Sequence, residues 1–510
     1  MRPLDECVDG FLRECPLALG GDADRGDSVP LGVGGAQYVG GGRTRHVVFG
    51  RLATEQHDQV DAFAEIPLVG HRPTVPSALV RIRASEAAAG IGGRLVGPDV
   101  GFDGASFDSR TTMPGQLFVP IVAERNGHDF IGTARERGAA VHLTSEPDAF
   151  RRDGTAIEVA DTAQALLALA GWARRRLDAQ VVGVTGSVGK TSAKDLMAAA
   201  CGAGRRTTAN ERSFNNEQGL PVTILDAPDD TEVLILEMGM RGFGHISRLC
   251  DIARPDIGVV TVVGHAHTEL VGGIEGVAVA KGELVEALPA SGTAVLNADD
   301  ERVAAMRSRT GAGVITFGAT GDVRVSAIEL DAMARARFRV DTPWGSGTTQ
   351  LAVPGAHMVT NAAAAIAVAG VVGVDLDAAL AALATATVSG MRMEISTAPS
   401  GATVVNDAYN ANPTSMLAAL EALAAMDADR RVAVLGLMGE IDDPEPAHRA
   451  IADRAIGLGL EVVVVGTNLY GVEPSADPLA ALGALGPGVV VLVKASRSAG
   501  LERLVRLLTT

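Results

Sequence analysis

Two hydrophobic periods alternate along most of this chain. Short β-branched runs, including VVGV at 181–184, VLILE at 233–237 and IGVVTVV at 257–263, have the length of buried strands and are too short for helices. Between such runs lie stretches with apolar positions three and four residues apart, of which DTAQALLALAGWARRRL (161–177) is the clearest helix. Strand and helix alternating in this way predict an α/β protein whose mostly parallel sheets are covered on both faces.

The first 78 residues carry neither period and include glycine-rich text such as GVGGAQYVGGGR, so a poorly ordered extension is expected over 1–78. Regular text begins near Val80, where RIRASEAAAGIGG reads as a short helix and GQLFVPI as a strand after a Pro-Gly turn. We divide the remainder into a small N-terminal α/β domain (79–170), a central domain with a mostly parallel sheet (171–388) and a C-terminal Rossmann-like domain (389–510). The strands of the last are ATVVND, RVAVLG, EVVVVG and GVVVLVK, and PTSMLAALEALAAM is a helix starting at Pro413. Three domains suit a chain of 510 residues, which is too long for one core.

The segment VVGVTGSVGKT (181–191) changes the picture from fold to chemistry. A strand, a glycine-rich turn and Lys-Thr opening a helix form a phosphate-gripping loop. Glycines let backbone N–H groups wrap an anion, the helix N-terminus adds positive potential, Lys190 supplies charge and Thr191 a hydroxyl for Mg²⁺. The loop is a variant, because Gly183 and Gly186 are both mis-spaced from Gly189 relative to the common P-loop pattern. The central domain then reads as a P-loop ATPase, with Gly186, Ser187, Val188, Gly189, Lys190, Thr191 and Ser192 holding the nucleotide.

Composition narrows the ligands. A formal charge of −17, without a long basic run, disfavours nucleic acid as partner. No stretch has the apolar length of a membrane span, and MRPLDECVDG carries charges where a signal peptide is apolar, so a cytoplasmic protein is expected. Cys7, Cys15, Cys201 and Cys250 lack CxxC spacing and read as ordinary thiols.

In parallel sheets ligands gather at the carboxyl ends of strands. Glu237 ends one apolar run, and Gly264, His265 and His267 follow another, so a carboxylate and an imidazole could approach the phosphate loop. Oxygen donors suit Mg²⁺. Away from that context Glu237 reads equally well as a surface or capping residue, and Lys281, inside the helical text GVAVAKGELVEAL, reads as a solvated lysine. Asp407, in NDAYNANP (406–413), could bind ribose hydroxyls or could belong to an Asx-rich turn that starts a helix. Lys494 and Arg497 follow the last strand as candidate partners for a carboxylate or phosphate.

Taken together, TGSVGKTS, RSFNNEQGLPVT, LEMGM, GHAHTELVGGIEGVAVAKGEL, NDAYNANPTSM and VKASR resemble the Mur ligases of peptidoglycan synthesis, over Val80 to the C-terminus. The N-terminal stretch FDSRTTMPGQLFVPIVAERNGHDFIGTARERGAA belongs to the same resemblance. SFNNEQGLP, DAYNANP, VKASR and the absence of a DNPR motif point to the MurF type within that family. The resemblance implies an ATP-dependent amide ligase joining D-alanyl-D-alanine to UDP-muramoyl tripeptide through an acyl phosphate, acting as a monomer with two Mg²⁺ ions. It also implies site residues. Thr191 and Glu237 would hold one Mg²⁺, and His267 with a carbamylated Lys281 the other. Asn361 would meet adenine, Arg392 the phosphates and Asp407 the ribose. Ser109 and Arg110 match the uridine-nucleotide site, Asn215 and Asn216 the muramoyl-peptide region, and Asn410, Asn412, Lys494 and Arg497 fall where the C-terminal domain meets substrates. With Lys190, the residues His267 and Lys281 are the expected catalytic set.

Four positions depart from the family pattern: Val262, Met358 and Leu437, where Asn, Asn and Asp are usual, and Ala495, where Gly is usual. Asn406 for Asp is a milder change. These departures keep two other readings open, a divergent ligase for another amino acid or peptide and a nucleotide-binding regulator without turnover. The segment before Val80 has no counterpart in the family, so an internal start at Val80 is expected.

Overall fold

A computed structural model describes residues 82–146, 154–210, 214–264, 268–439 and 441–510. The expected extension over 1–78 lies outside the described residues, as does His267.

Three large sheets of five, nine and five strands, with a two-stranded antiparallel pair of Ile82–Arg83 and Gly101–Phe102, organise the described chain. In the first, the order is Arg94–Val96, Thr155–Glu158, Val141–Thr144, Leu117–Phe118 and Ala105–Ser106, parallel except for the first pair. The expected short helix forms over Ala84–Ile91 and stops at Gly92, whose φ of +68° is open to glycine at little cost.

The nine-stranded sheet runs Gly345–Pro354, Arg335–Thr342, Val323–Leu330, Gly313–Gly318, Thr293–Asn297, Ile257–Val260, Gln180–Thr185, Val233–Glu237 and Thr207–Ala209. Gln180–Thr185, which feeds the phosphate loop, is flanked by parallel partners on both sides, and Val181, Val182 and Val184 are fully buried. That double burial explains its uninterrupted β-branched text. The alternation of strand and helix expected through this region breaks at Gly313. From there four strands follow without a helix, and the pairs beyond Val323–Leu330 are antiparallel. The signal was present as period-two text: in RARFRVDT the residues Ala336, Phe338 and Val340 are buried while Arg337 and Arg339 face solvent. Helix Met358–Val371 is almost wholly buried and packs on helix Lys190–Gly202, an approach its many alanines permit.

Helix Thr162–Arg174 is continuous across the expected 170/171 boundary. Asp161 caps it by accepting from Gln164 N–H at 3.0 Å, and Leu166, Leu169, Ala170 and Ala173 join a core shared by the N-terminal and central sheets.

In the C-terminal sheet the order is Glu394–Thr397, Thr403–Asp407, Val489–Lys494, Arg430–Leu435 and Glu461–Val464, all parallel but the first pair. Helix Pro413–Ala425 begins where expected. Asn412 and Ser415 form a reciprocal capping box, and Pro413 occupies the first turn, where no N–H is needed. No described helix is long and apolar enough to cross a membrane.

Candidate active site

The phosphate loop connects the central strand to helix Lys190–Gly202. Gly186 (φ +153°) and Gly189 (φ +81°) supply its turns, and each lies where a side chain could not. A Cβ on Gly186 would meet Thr261 Oγ1 at 1.9 Å, and one on Gly189 would meet Asn361 Oδ1 at 2.6 Å. Neighbouring strand ends brace the loop. Ser187 N–H donates to Val262 O at 2.8 Å, Ser187 Oγ exchanges hydrogen bonds with the backbone of Gly264, and Thr261 Oγ1 donates to Val188 O at 2.7 Å. Lys190 Nζ donates to Gly186 O at 2.6 Å, so the ammonium lies over the loop.

Thr191 Oγ1 donates to Glu237 Oε2 at 2.6 Å, which brings a helix N-terminal hydroxyl and a strand-end carboxylate together. Glu237 is 1% exposed. Its other oxygen accepts from Asn215 Nδ2 at 2.8 Å, and its own N–H donates to Asn210 Oδ1 at 3.1 Å. Two hard oxygen donors from the protein, with no cluster of three His, Cys, Asp or Glu side chains among the described residues, suit Mg²⁺. That ion takes few protein ligands and completes its shell with water and phosphate oxygens.

Lys281 overturns its expectation as a solvated lysine. On helix Ile274–Glu286 it is 1% exposed, and burial, followed by the charge of Lys190, pushes its ammonium well below the usual lysine range. Asn361 lies against the loop beside Gly189, and its amide donates to Met358 Sδ at 3.6 Å, so one of the four departing residues supports an expected adenine contact. Ala495 is fully buried and its methyl covers Gly436, where a second methyl would stand only 2.8 Å away.

Arg392 joins the central and C-terminal sheets. Its Nη2 donates to Thr191 Oγ1 at 3.0 Å, and its guanidinium stacks 3.9 Å above the ring of Tyr409. Asp407 Oδ2 lies 2.6 Å from the buried Lys494 Nζ, which also donates to Asn410 O at 3.0 Å. Lys494 is therefore a partner of Asp407 from the adjacent strand and not an exposed group. The Asn412 side chain is engaged in its helix cap. Asn410 is exposed, and Arg497 lies 3.5 Å from Glu502.

On the N-terminal side Ser109 is buried, and Arg110 is exposed and paired with Asp108 at 2.8 Å. Phe107 meets Phe214 with ring centroids 5.8 Å apart, so the segment bearing Ser109 and Arg110 adjoins the one bearing Asn215 and Asn216. Asn216 Oδ1 accepts from Gln218 and Gly219 N–H and starts the next helix. Asn210, Thr261 and Tyr409 escaped the sequence reading. Each acts through a neighbour; Thr261 lies in the quoted strand run IGVVTVV and Tyr409 in NDAYNANP, while Asn210 stands in no quoted segment.

A P-loop with a hydroxyl–carboxylate pair whose oxygens suit Mg²⁺, facing a Rossmann-like domain across a shared arginine, defines a nucleotide-dependent enzyme of the P-loop class. The chain matches the Mur ligase middle domain over residues 184–369 and the glutamate ligase domain of Mur ligases over residues 391–509. It is 40% identical over 458 residues to the UDP-N-acetylmuramoyl-tripeptide–D-alanyl-D-alanine ligase of Mycobacterium tuberculosis, covering 78% of this chain and 90% of that protein. MurF from Acinetobacter baumannii superposes with a TM-score of 0.76 at 27% identity, over 84% of this chain and 99% of that one. The MurF ligase of Thermotoga maritima in complex with ADP gives a TM-score of 0.69 at 26% identity, over 79% and 96% of the two chains. This chain belongs to the Mur ligase family, in its MurF branch.

Proposed function

We propose that this protein is the ATP-dependent ligase that joins D-alanyl-D-alanine to UDP-N-acetylmuramoyl tripeptide in peptidoglycan precursor synthesis. The observation that carries the reading is the Thr191–Glu237 pair at 2.6 Å beneath a glycine loop, with Lys190 above it and Arg392 reaching it from the C-terminal sheet.

A carboxylate is a poor acyl donor until one oxygen becomes a leaving group. The terminal carboxylate of the tripeptide attacks the γ-phosphorus of ATP, ADP departs, and an acyl phosphate forms. The free amine of D-alanyl-D-alanine then attacks the acyl carbon, loses a proton, and the tetrahedral intermediate expels phosphate as the amide forms. Charge accumulates on phosphate oxygens in the first step and on the acyl oxygen in the second. Lys190 and Arg392 are the cations that meet it. Thr191 and Glu237 would hold a Mg²⁺ ion, which would neutralise charge on the phosphates. Asn361 faces adenine and Asp407, held by Lys494, the ribose. Ser109 and Arg110 receive the uridine nucleotide, Asn215 and Asn216 border the muramoyl peptide, and Asn410, Asn412 and Arg497 border the incoming dipeptide.

Lys281 carries a finer expectation. Its burial favours the neutral amine, which can add CO₂ and release a proton to become a carbamate, an oxygen ligand that would hold a second Mg²⁺ with His267. Labelled bicarbonate and carbon NMR of the purified protein test this directly, with Lys281→Ala as the control that must lose the signal. The protein works as a cytoplasmic monomer, in the compartment that holds ATP and UDP-sugars.

Phosphate release with ATP, Mg²⁺ and UDP-muramoyl tripeptide, with and without D-alanyl-D-alanine and against a panel of single amino acids, tests the whole reading. Release that requires both the tripeptide and the dipeptide supports it. Release triggered only by another amine replaces it with a divergent ligase, and ATP binding without release under any amine replaces it with a regulator.

A further inference from the structure

The segment that leads into the C-terminal sheet is pinned by three carboxylates at alternate residues. Asp195 Oδ2 accepts from Ser389 N–H at 2.7 Å, Glu394 Oε2 from Met391 N–H at 2.9 Å and Asp407 Oδ1 from Met393 N–H at 3.2 Å. Met391 (φ +60°) and Met393 (φ +52°) both lie in the left-handed region, on either side of Arg392. Such conformations are unfavourable for residues with a side chain and persist only where the surroundings over-determine them. Two of the pinning carboxylates belong to the C-terminal side. Asp195 alone comes from the nucleotide-binding helix Lys190–Gly202.

On that helix Asp195 stands four residues after Thr191, so the two share one face. Thr191 accepts Arg392 and Asp195 holds Ser389, three residues earlier in the chain. Asp195 is itself fixed. Its Oδ1 lies 2.7 Å from Lys194 Nζ, which is buried and donates to Asn210 O, while Asn210 Oδ1 accepts from Glu237 N–H. The contacts close a ring: Arg392, Thr191, Glu237, Asn210, Lys194, Asp195, and back through the chain at Ser389. Nothing in the phosphate loop motif requires Asp195, which lies three residues beyond Ser192, the last residue of that motif.

We propose that Asp195 is a positioning residue for the ligation, anchoring the interdomain segment at Ser389 so that the strained turn around Met391–Met393 delivers the Arg392 guanidinium to Thr191. This rests on the reading of Arg392 as a phosphate contact given above. The negative charge of Asp195 neutralises Lys194, and its acceptor oxygen fixes where the segment at Ser389 meets the nucleotide-binding helix.

The test compares Asp195→Ala and Asp195→Asn with the wild-type full chain, by steady-state kinetics and by amide hydrogen exchange over residues 386–393. Asparagine keeps an acceptor for Ser389 N–H and alanine does not. Asp195→Ala is expected to lower kcat by at least tenfold, leave KM for UDP-muramoyl tripeptide within twofold and raise exchange over 386–393. Asp195→Asn is expected to recover most of the protection over 386–393 and only part of kcat, because it leaves the buried Lys194 without its counter-charge. Wild-type kcat in Asp195→Ala, unchanged protection of 386–393 in that variant, or an Asp195→Asn variant whose 386–393 segment exchanges as fast as in the alanine one would overturn the assignment. A wild-type protein that ligates nothing sinks the functional reading instead, and the exchange comparison alone then decides whether Asp195 anchors the segment.

Discussion

Lys494 Nζ lies 2.6 Å from Asp407 Oδ2, and the two residues are register partners at the carboxyl ends of adjacent parallel strands. Asp407 Oδ1 also accepts from Met393 N–H at 3.2 Å, next to Arg392 in the chain. Because Lys494 is 2% exposed, removing its partner strands a cation in the sheet. Asp407→Ala is expected to destabilise the protein by about 3 kcal/mol, the usual consequence of breaking a buried pair from one side. The double variant Asp407→Leu with Lys494→Met should be more stable than Asp407→Ala alone, since no charge is left unpaired. Urea unfolding of the three proteins checks both statements, and equal stability of the two variants would show that the pair is not electrostatically coupled.

His142, in the strand Val141–Thr144 of the N-terminal sheet, gives the protein a pH-dependent weakness. Burial, with the charges of Arg135 and His128 adding to it, pushes this imidazole down from 6.5 to about 4. The folded state therefore binds the proton less readily than the unfolded chain, so the contribution of His142 is fully present above pH 6.5 and is lost as pH falls toward 4. Over the fall from pH 7 to pH 5 the loss is expected to be about 2 kcal/mol. Denaturation midpoints of wild type and His142→Gln at the two pH values measure it: the wild type should lose more stability than the variant, and parallel losses would refute the assignment.

Asn215 was read from sequence as a border of the muramoyl-peptide region, and its amide holds Glu237 Oε1 at 2.8 Å. A group that orients a metal-binding carboxylate tunes metal affinity without touching the ion. Asn215→Ala is expected to raise the Mg²⁺ concentration for half-maximal phosphate release by about tenfold or more, with recovery of rate at saturating Mg²⁺. A variant with an unchanged Mg²⁺ requirement and a raised KM for the UDP-sugar would return Asn215 to a purely substrate-facing role.

What the text of the chain disclosed depended on whether the information was local. The phosphate loop was legible despite its variant glycine spacing because strand, glycine-rich turn, Lys190 and Thr191 lie within eleven residues in the order a bound nucleotide phosphate needs. The C-terminal strands and the helix at Pro413 were legible for the same reason, through β-branched runs and an Asn-Pro start. Lys281 reads as solvated from residues alone because its helix also carries Glu275, Glu283 and Glu286, and a lysine in such charged text looks exposed until its neighbours are known. The antiparallel strands after Gly313 were lost among alternating elements because their length and spacing mimic them. Asp195 and Asn210 are not legible at all: the contact of Asp195 exists only once Ser389 folds back onto the nucleotide-binding helix, and Asn210 meets Glu237 and Lys194 only across segments distant in the chain.

Gly186 offers the sharpest test of the loop itself. Its φ of +153° is poorly accessible to residues with a side chain, and a Cβ there would stand 1.9 Å from Thr261 Oγ1, inside the contact that holds Val188 O. Thr261 cannot simply turn away. It lies at the end of the strand next to the loop, is buried, and its hydroxyl also lies 3.3 Å from Thr185 O. Gly186→Ala must therefore shift the loop, which misplaces the backbone N–H groups aimed at phosphate and the carbonyl that Lys190 covers. Strain of about 1–3 kcal/mol at one such position corresponds to a loss of nucleotide affinity of roughly ten- to a hundredfold. Calorimetric titration with ADP and Mg²⁺ measures it, and the far-ultraviolet circular dichroism of the variant should match the wild type because the strand and helix on either side keep their packing. Unimpaired ADP binding would mean that the loop grips the nucleotide in a conformation other than the one described here.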